Sequence, residues 1–217
     1  SCVTIAEVLK TAGYRTYMSG KWHVGERPEH WPRKRGFDRY YGLISGASSY
    51  WGILEEERDR RAFARDDERI LPEGENFYMT DAFSDYAVKW LEEQKGREEP
   101  FLLYLAYTAP HWPLHAWPED IAKYQGKYAK GWDQLRQERY ERLVNMGIID
   151  AKWKLSPRDP DVPAWEDAED KEDWDLRMAV YACSGSIAAK ARSIYRTAIA
   201  RRKATGTACR IVMHRSR

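Results

Sequence analysis

Phe101-Leu102-Leu103-Tyr104-Leu105-Ala106-Tyr107 is an unbroken apolar run of strand length. No charge or turn residue interrupts it, so it predicts a strand buried on both faces, as in a parallel sheet. Upstream lies a helical pattern over about 81–95. Thr80 stands as its cap, Ala82, Phe83, Ala87, Trp90 and Leu91 share its inner face, and Gly96 follows. The same order occurs earlier in the chain. Thr4-Ile5-Ala6-Glu7 reads as a capping box, Ile5, Val8, Leu9 and Ala12 form an apolar stripe, and Gly13 closes the helix. Residues 14–19 then read as a strand. Helix followed by strand, twice, predicts an α/β fold with a largely parallel sheet.

Both strands run into loops that carry basic residues. Gly20-Lys21-Trp22-His23-Val24-Gly25 follows the first, and Thr108-Ala109-Pro110-His111-Trp112-Pro113-Leu114-His115 follows the second. Residues two apart in an extended backbone point to the same side, so Lys21 and His23 are expected to enter one pocket together. An ammonium beside an imidazole suits an oxyanion such as sulfate or phosphate. Ligands of open α/β sheets sit at the carboxyl ends of strands, so His111 is expected to join them. His115 is expected to be structural, because Pro113 rules out a helical metal pair with His111. His30 has no partner in sequence, and His214 lies in a basic tail.

The rest of the chain is less patterned. Residues 25–50 read as loop and 52–72 as a charge-dense, solvated excursion. Within it, Asp66-Asp67 belongs to a charge run rather than a metal pair. A further helix is predicted over 131–147 and a Pro- and Asp-rich loop over 154–170. No Walker or Rossmann glycine cradle and no G-x-S-x-G elbow occurs.

Hydrophobic residues at 43% and charged residues at 32% describe an ordinary globular chain, and a net charge of +2 excludes a wholly basic nucleic-acid binder. Ten Trp and fourteen Tyr are enough both to fill a core and to line a cleft. The three cysteines, Cys2, Cys183 and Cys209, form no zinc pattern. No apolar run is long enough to span a membrane, and the N-terminus shows no charged n-region followed by an apolar h-region. The abrupt opening of a helix at Thr4 is that expected of a chain cut from something longer. The last 42 residues contain ten Lys or Arg and no acid. That tail reads either as a basic arm for RNA, DNA or an anionic membrane, or as translation out of frame beyond about Tyr181. The second is the expectation, and no fold is assigned to it. The expected organisation is a partial catalytic domain over 1–182 and a basic tail over 183–217.

The pattern G-Y-x-T-x-x-x-G-K-x-H, from Gly13 to His23, resembles a signature of the sulfatase family. The likeness continues through Gly36-Phe37-Asp38-Arg39-Tyr40-Tyr41-Gly42 and Gly46-Ala47-Ser48-Ser49-Tyr50. It extends to the strand leading into Ala109-Pro110-His111-Trp112-Pro113, and to Lys127-Tyr128, Gly131-Trp132-Asp133, Arg136 and Arg139. The arylsulfatase-like branch is the nearest in pattern. The resemblance implies an alkaline-phosphatase-like α/β sandwich and a hydrolase of sulfate esters, whether small molecules or sulfated glycans. It implies a formylglycine made from the cysteine of a C-x-P-S-R motif, and Ca2+ or another divalent cation held by Asp and Asn. It assigns sulfate binding and catalysis to Lys21, His23 and His111, with His111 assisting the leaving group. It implies an exported or lysosomal location.

None of the three cysteines begins C-x-P-S-R, and no Asp-Asn dipeptide occurs. The resemblance therefore places nucleophile and metal ligands outside this chain, which alone is expected to be inactive. Two other functions remain open on sequence. One is a phosphoester or phosphonate hydrolase of the same superfamily. The other is a non-catalytic protein binding anions or nucleic acid through the tail.

Overall fold

The apolar run at 101–107 lies inside a six-stranded sheet with the order β4-β3-β2-β1-β5-β6. The strands are β1 (Arg15–Gly20), β2 (Arg39–Leu43), β3 (Phe63–Arg65), β4 (Glu68–Ile70), β5 (Phe101–Tyr107) and β6 (Cys209–Arg215). The computed structural model describes residues 2–72, 74, 76–185 and the backbone of 209–215. β2, β1, β5 and β6 run parallel, whereas β3 and β4 are antiparallel additions. The expected α/β class with a largely parallel sheet is what forms.

β1 is the centre. It pairs with β5 from Arg15↔Phe101 to Gly20↔Ala106, and with β2 from Tyr17↔Arg39 to Ser19↔Tyr41. Its residues alternate between two buried faces. On one, Tyr17 stacks on Trp90 at 5.8 Å and the Ser19 hydroxyl donates to the Phe83 carbonyl at 2.8 Å. Both partners lie on α2 (Met79–Glu93). On the other, Met18 packs with Ala6, Trp22, Trp31, Phe37, Tyr40 and Leu102.

α1 (Ile5–Thr11) forms as its caps dictate. Thr4 N–H donates to the Glu7 carboxylate at 2.6 Å, and Glu7 N–H donates to Thr4 Oγ1 at 3.1 Å. At the other end Gly13 N–H reaches Lys10 O, Tyr14 N–H reaches Leu9 O, and Gly13 takes φ +77°, a Schellman ending. The expected apolar stripe is corrected: Ile5 and Val8 are each 55% exposed, and Ala6 with Leu9 makes the contact. A helix this short, packed through one alanine, has no room for a wide stripe. α2 starts at Met79, so Thr80 lies inside the helix and does not cap it. Asp81 and Ala82 N–H donate instead to the Tyr78 carbonyl.

Two segments assigned to loop are strands. Arg39–Leu43 is short and flanked by proline and glycine, which hid it, yet Tyr40 and Leu43 are fully buried. The charge-dense stretch holds the β3–β4 hairpin, with Phe63 and Ala64 buried beneath it. Asp66 and Asp67 form its tip. Asp66 Oδ1 accepts from Tyr40 N–H at 2.9 Å, and the two carboxylates pair with Arg33, Lys34 and Arg39.

The chain divides into two compact units, one built on residues up to His115 with β6, the other covering Ala116–Cys183. In the second, α3 (Pro118–Ile121) and α4 (Gly131–Asn145) precede α5 (Lys171–Gly185). Trp132 packs edge-on against Trp165 and Trp174, and Asp175 accepts from Gly126 and Tyr128 N–H. α5 continues past Tyr181, and β6 follows β5 in register, so ordered backbone exists where no fold was assigned. The rest of the basic tail, 186–208 and 216–217, lies outside the described residues. Among the described residues, no helix is long and apolar enough to cross a membrane.

Where β1 ends, the backbones leave no room for side chains. A Cβ on Gly20 would stand 2.0 Å from the Ala106 carbonyl oxygen, and one on Gly42 would stand 1.9 Å from that of Gly20. Gly20 also holds φ +126°. Gly20→Ala is expected to destabilise the fold by about 3 kcal/mol or more, seen as a lower denaturant midpoint. A midpoint within error of the parent would contradict this packing.

Candidate functional site

Because β2, β1 and β5 are parallel, Leu43, Gly20 and Tyr107 end at one edge of the sheet. The loops beginning at Lys21, Ile44 and Thr108 leave from that edge. The backbone of 21–23 continues between its neighbours: Lys21 N–H donates to Ala106 O at 2.7 Å, Trp22 N–H to Leu43 O at 2.8 Å and His23 N–H to Ile44 O at 3.0 Å. Lys21, His23 and His111 thus stand on neighbouring loops of one carboxyl edge. Their side chains are not equivalent, however.

Lys21 is half-buried, and burial pushes its pKa below the usual lysine range. No ion pair of Lys21 exists among the described residues. A partly desolvated ammonium without a carboxylate is a ready partner for an anion. His23 departs from the extended geometry expected for it, since it takes φ +52° and is exposed. Its imidazole rests on the bare backbone of Gly46, where an added Cβ would lie 2.5 Å from His23 Nε2. Lys21 and His23 therefore occupy one turn without the side-by-side projection that an extended strand would give.

His111 Nδ1 lies 2.7 Å from the Trp112 carbonyl oxygen. A carbonyl can only accept, so Nδ1 carries the proton and Nε2 is the nitrogen left for a ligand. The His111 N–H donates to Thr108 O at 3.0 Å, and the His111 carbonyl accepts from the Tyr50 hydroxyl at 2.7 Å. Tyr50 is fully buried, which raises its pKa and keeps its phenol a donor.

His115 has the opposite tautomer when neutral. Its Nδ1 accepts from Tyr50 N–H at 3.2 Å, and its carbonyl accepts from the hydroxyls of Tyr78 and Ser184. Burial lowers its pKa, favouring the neutral ring that this acceptor role needs. His115 is structural, as expected. Tyr50 was missed as a site residue. It holds both histidines of the loop after β5 in place, and a lone tyrosine in a loop gives no local signal of that.

A metal ion finds no fitting donor set here. Among the described residues, no group of three or more His, Cys, Asp or Glu side chains is placed to hold one. The one adjacent acidic pair weighed for such a role, Asp66-Asp67, is occupied by cationic neighbours at the hairpin tip.

Comparison with known proteins places this edge in context. The family model described as Sulfatase matches residues 1–197. An uncharacterized sulfatase of Schizosaccharomyces pombe is 34% identical over 191 residues, covering 82% of this chain and 34% of the relative. An arylsulfatase of Klebsiella aerogenes is 36% identical over 151 residues, covering 67% of this chain and 32% of the relative. The N-acetylgalactosamine-6-sulfatase of Mus musculus is 31% identical over 122 residues, covering 52% and 23%. The chain thus spans about a third of the length of the first two relatives. The crystal structure of Ps i-CgsB in complex with k-i-k-neocarrahexaose superposes with a TM-score of 0.52 at 23% identity, covering 96% of this chain and 38% of that one. That likeness is one of fold, and the fold is the alkaline-phosphatase-like α/β arrangement. With the family model matching residues 1–197 and a relative 34% identical over 82% of the chain, the chain belongs to the sulfatase family.

Proposed function

We propose that the carboxyl edge of β1 and β5 binds the sulfate group of a sulfate ester, as part of a sulfuric ester hydrolase. The observation that carries this is Lys21: a half-buried ammonium with no carboxylate partner among the described residues, at a strand end of a sulfatase-family sheet. Family membership favours sulfate over phosphate, since the charge chemistry of the edge serves either.

In this reading Lys21 holds the sulfate oxygens by charge-assisted hydrogen bonds. His23 adds an exposed imidazole on the same turn. His111, held through Nδ1–H by the Trp112 carbonyl, offers Nε2 to the ester. Nε2 is the atom from which a proton would pass to the leaving oxygen when a nucleophile from outside this chain displaces it at sulfur. Tyr50 keeps His111 positioned through its carbonyl. Formylglycine and a divalent cation would supply nucleophile and charge in the family's reaction, but the residues present do not fit them.

Three outcomes follow for the 217-residue chain. Lys21→Ala should weaken binding of inorganic sulfate about tenfold or more by titration calorimetry, the worth of a charge-assisted hydrogen bond. Unchanged affinity would contradict the assignment. Sulfate binding should also fall as pH rises through the pKa of Lys21, because only the ammonium binds. Burial lowers that pKa, so the fall should begin below the usual lysine value of about 10.4. Finally, the chain alone should not turn over 4-nitrophenyl sulfate, because it holds no C-x-P-S-R cysteine. Release of nitrophenol that disappears in Lys21→Ala would overturn that expectation.

A further inference from the structure

Trp112 exposes 69% of its surface, next to His111 on the loop that leaves β5. Single exposed apolar residues are common and mean little by themselves. This one differs in how it is held. Its carbonyl accepts from His111 Nδ1–H, so the residue that orients the imidazole also carries the bare indole. Pro110 and Pro113 flank the pair and restrict the backbone on both sides. The loop is further tied to 50–51: Tyr50 bonds to both His111 and His115, and Trp51 lies against Tyr78 at 4.8 Å and His115 at 6.1 Å. A rigid loop at the site edge therefore presents an aromatic face to solvent.

Trp153 is as exposed, at 68%, but belongs to the second unit, whereas two other tryptophans are covered. Arg177 lies over Trp174 and Lys171 over Trp165. Among the described residues no aromatic ring or cation is stacked on Trp112. A cleft of about 690 Å³ in the second unit also has tryptophan walls, Trp132 and Trp174. It is lined with Asp161, Asp167, Glu169 and Asp170, which repel an anionic ester. At the site edge an exposed aromatic face and a half-buried cation with no ion pair among the described residues occur in neighbouring loops.

We infer that the Trp112 indole is the platform for the non-sulfate part of the substrate, so that the site selects esters whose sulfate is carried on a flat ring with an apolar face. This rests on the sulfate-binding reading above. The shared chemistry is a ring that stacks on an indole, whether an aryl group or the C–H face of a sugar. Methyl sulfate, which has no such ring, keeps only the sulfate contacts.

The test measures dissociation constants of methyl sulfate, 4-nitrophenyl sulfate and glucose 6-sulfate by saturation-transfer NMR on the full chain. The parent should bind at least one ring ester roughly three- to tenfold more tightly than methyl sulfate. Trp112→Ala should remove that preference and leave methyl sulfate unchanged, and Trp112→Phe should retain part of it. Loss of preference for the nitrophenyl ester identifies an aryl platform, and loss for the sugar ester identifies a glycan one. A preference that survives Trp112→Ala overturns the inference, as does an equal loss for all three ligands. Lys21→Ala separates the two levels. If methyl sulfate binds and Lys21→Ala leaves it unchanged, or if no ester binds the parent, the sulfate-binding reading falls and the platform falls with it. If methyl sulfate depends on Lys21 but no ring preference depends on Trp112, only the platform is wrong.

Discussion

Three parallel backbones meet at the end of β1 with nothing but glycine between them. Gly20 lies against the Ala106 carbonyl, and Gly42 lies against that of Gly20. This close approach lets the chain beyond Gly20 keep hydrogen-bonding to both neighbours, through Lys21 to Ala106 and through His23 to Ile44. The basic turn is therefore an extension of the sheet and shares its rigidity. A side chain at either glycine would force the strands apart and move the turn that carries Lys21. Fold and site depend on one steric constraint.

The second anchor is Tyr50. Its hydroxyl and its N–H reach different ends of the loop after β5, so one buried residue positions two histidines with opposite proton arrangements. His111 keeps Nε2 free, whereas His115 spends Nδ1 as an acceptor inside the structure. Four residues apart in sequence, they differ because of what surrounds each nitrogen. Lys21 completes the contrast: it is half-buried, and among the described residues no carboxylate pairs with it.

What could be read in the sequence was whatever has a local or periodic cause. The β5 run is apolar at nearly every position because both faces are covered, and it formed over the expected residues. The Thr4–Glu7 box and Gly13 ending are likewise local chemistry. β2 was illegible because its five residues carry no period, and its burial is decided by β1 and α2 beside it. The β3–β4 hairpin was masked by its charges, which serve ion pairs at the tip while Phe63 and Ala64 hold the core. Of the site, the positions of Lys21, His23 and His111 at strand ends were legible from the loops. The left-handed backbone at His23 and the packing of its ring on Gly46 were not, since that contact joins residues more than twenty positions apart.

The most direct measurement is anomalous diffraction from crystals of this chain soaked in selenate, an isostere of sulfate. An anion site at the carboxyl edge predicts a selenium peak within hydrogen-bonding distance of Lys21 Nζ, with His111 Nε2 turned toward it. A peak elsewhere, with Lys21 pairing to a carboxylate, would contradict it.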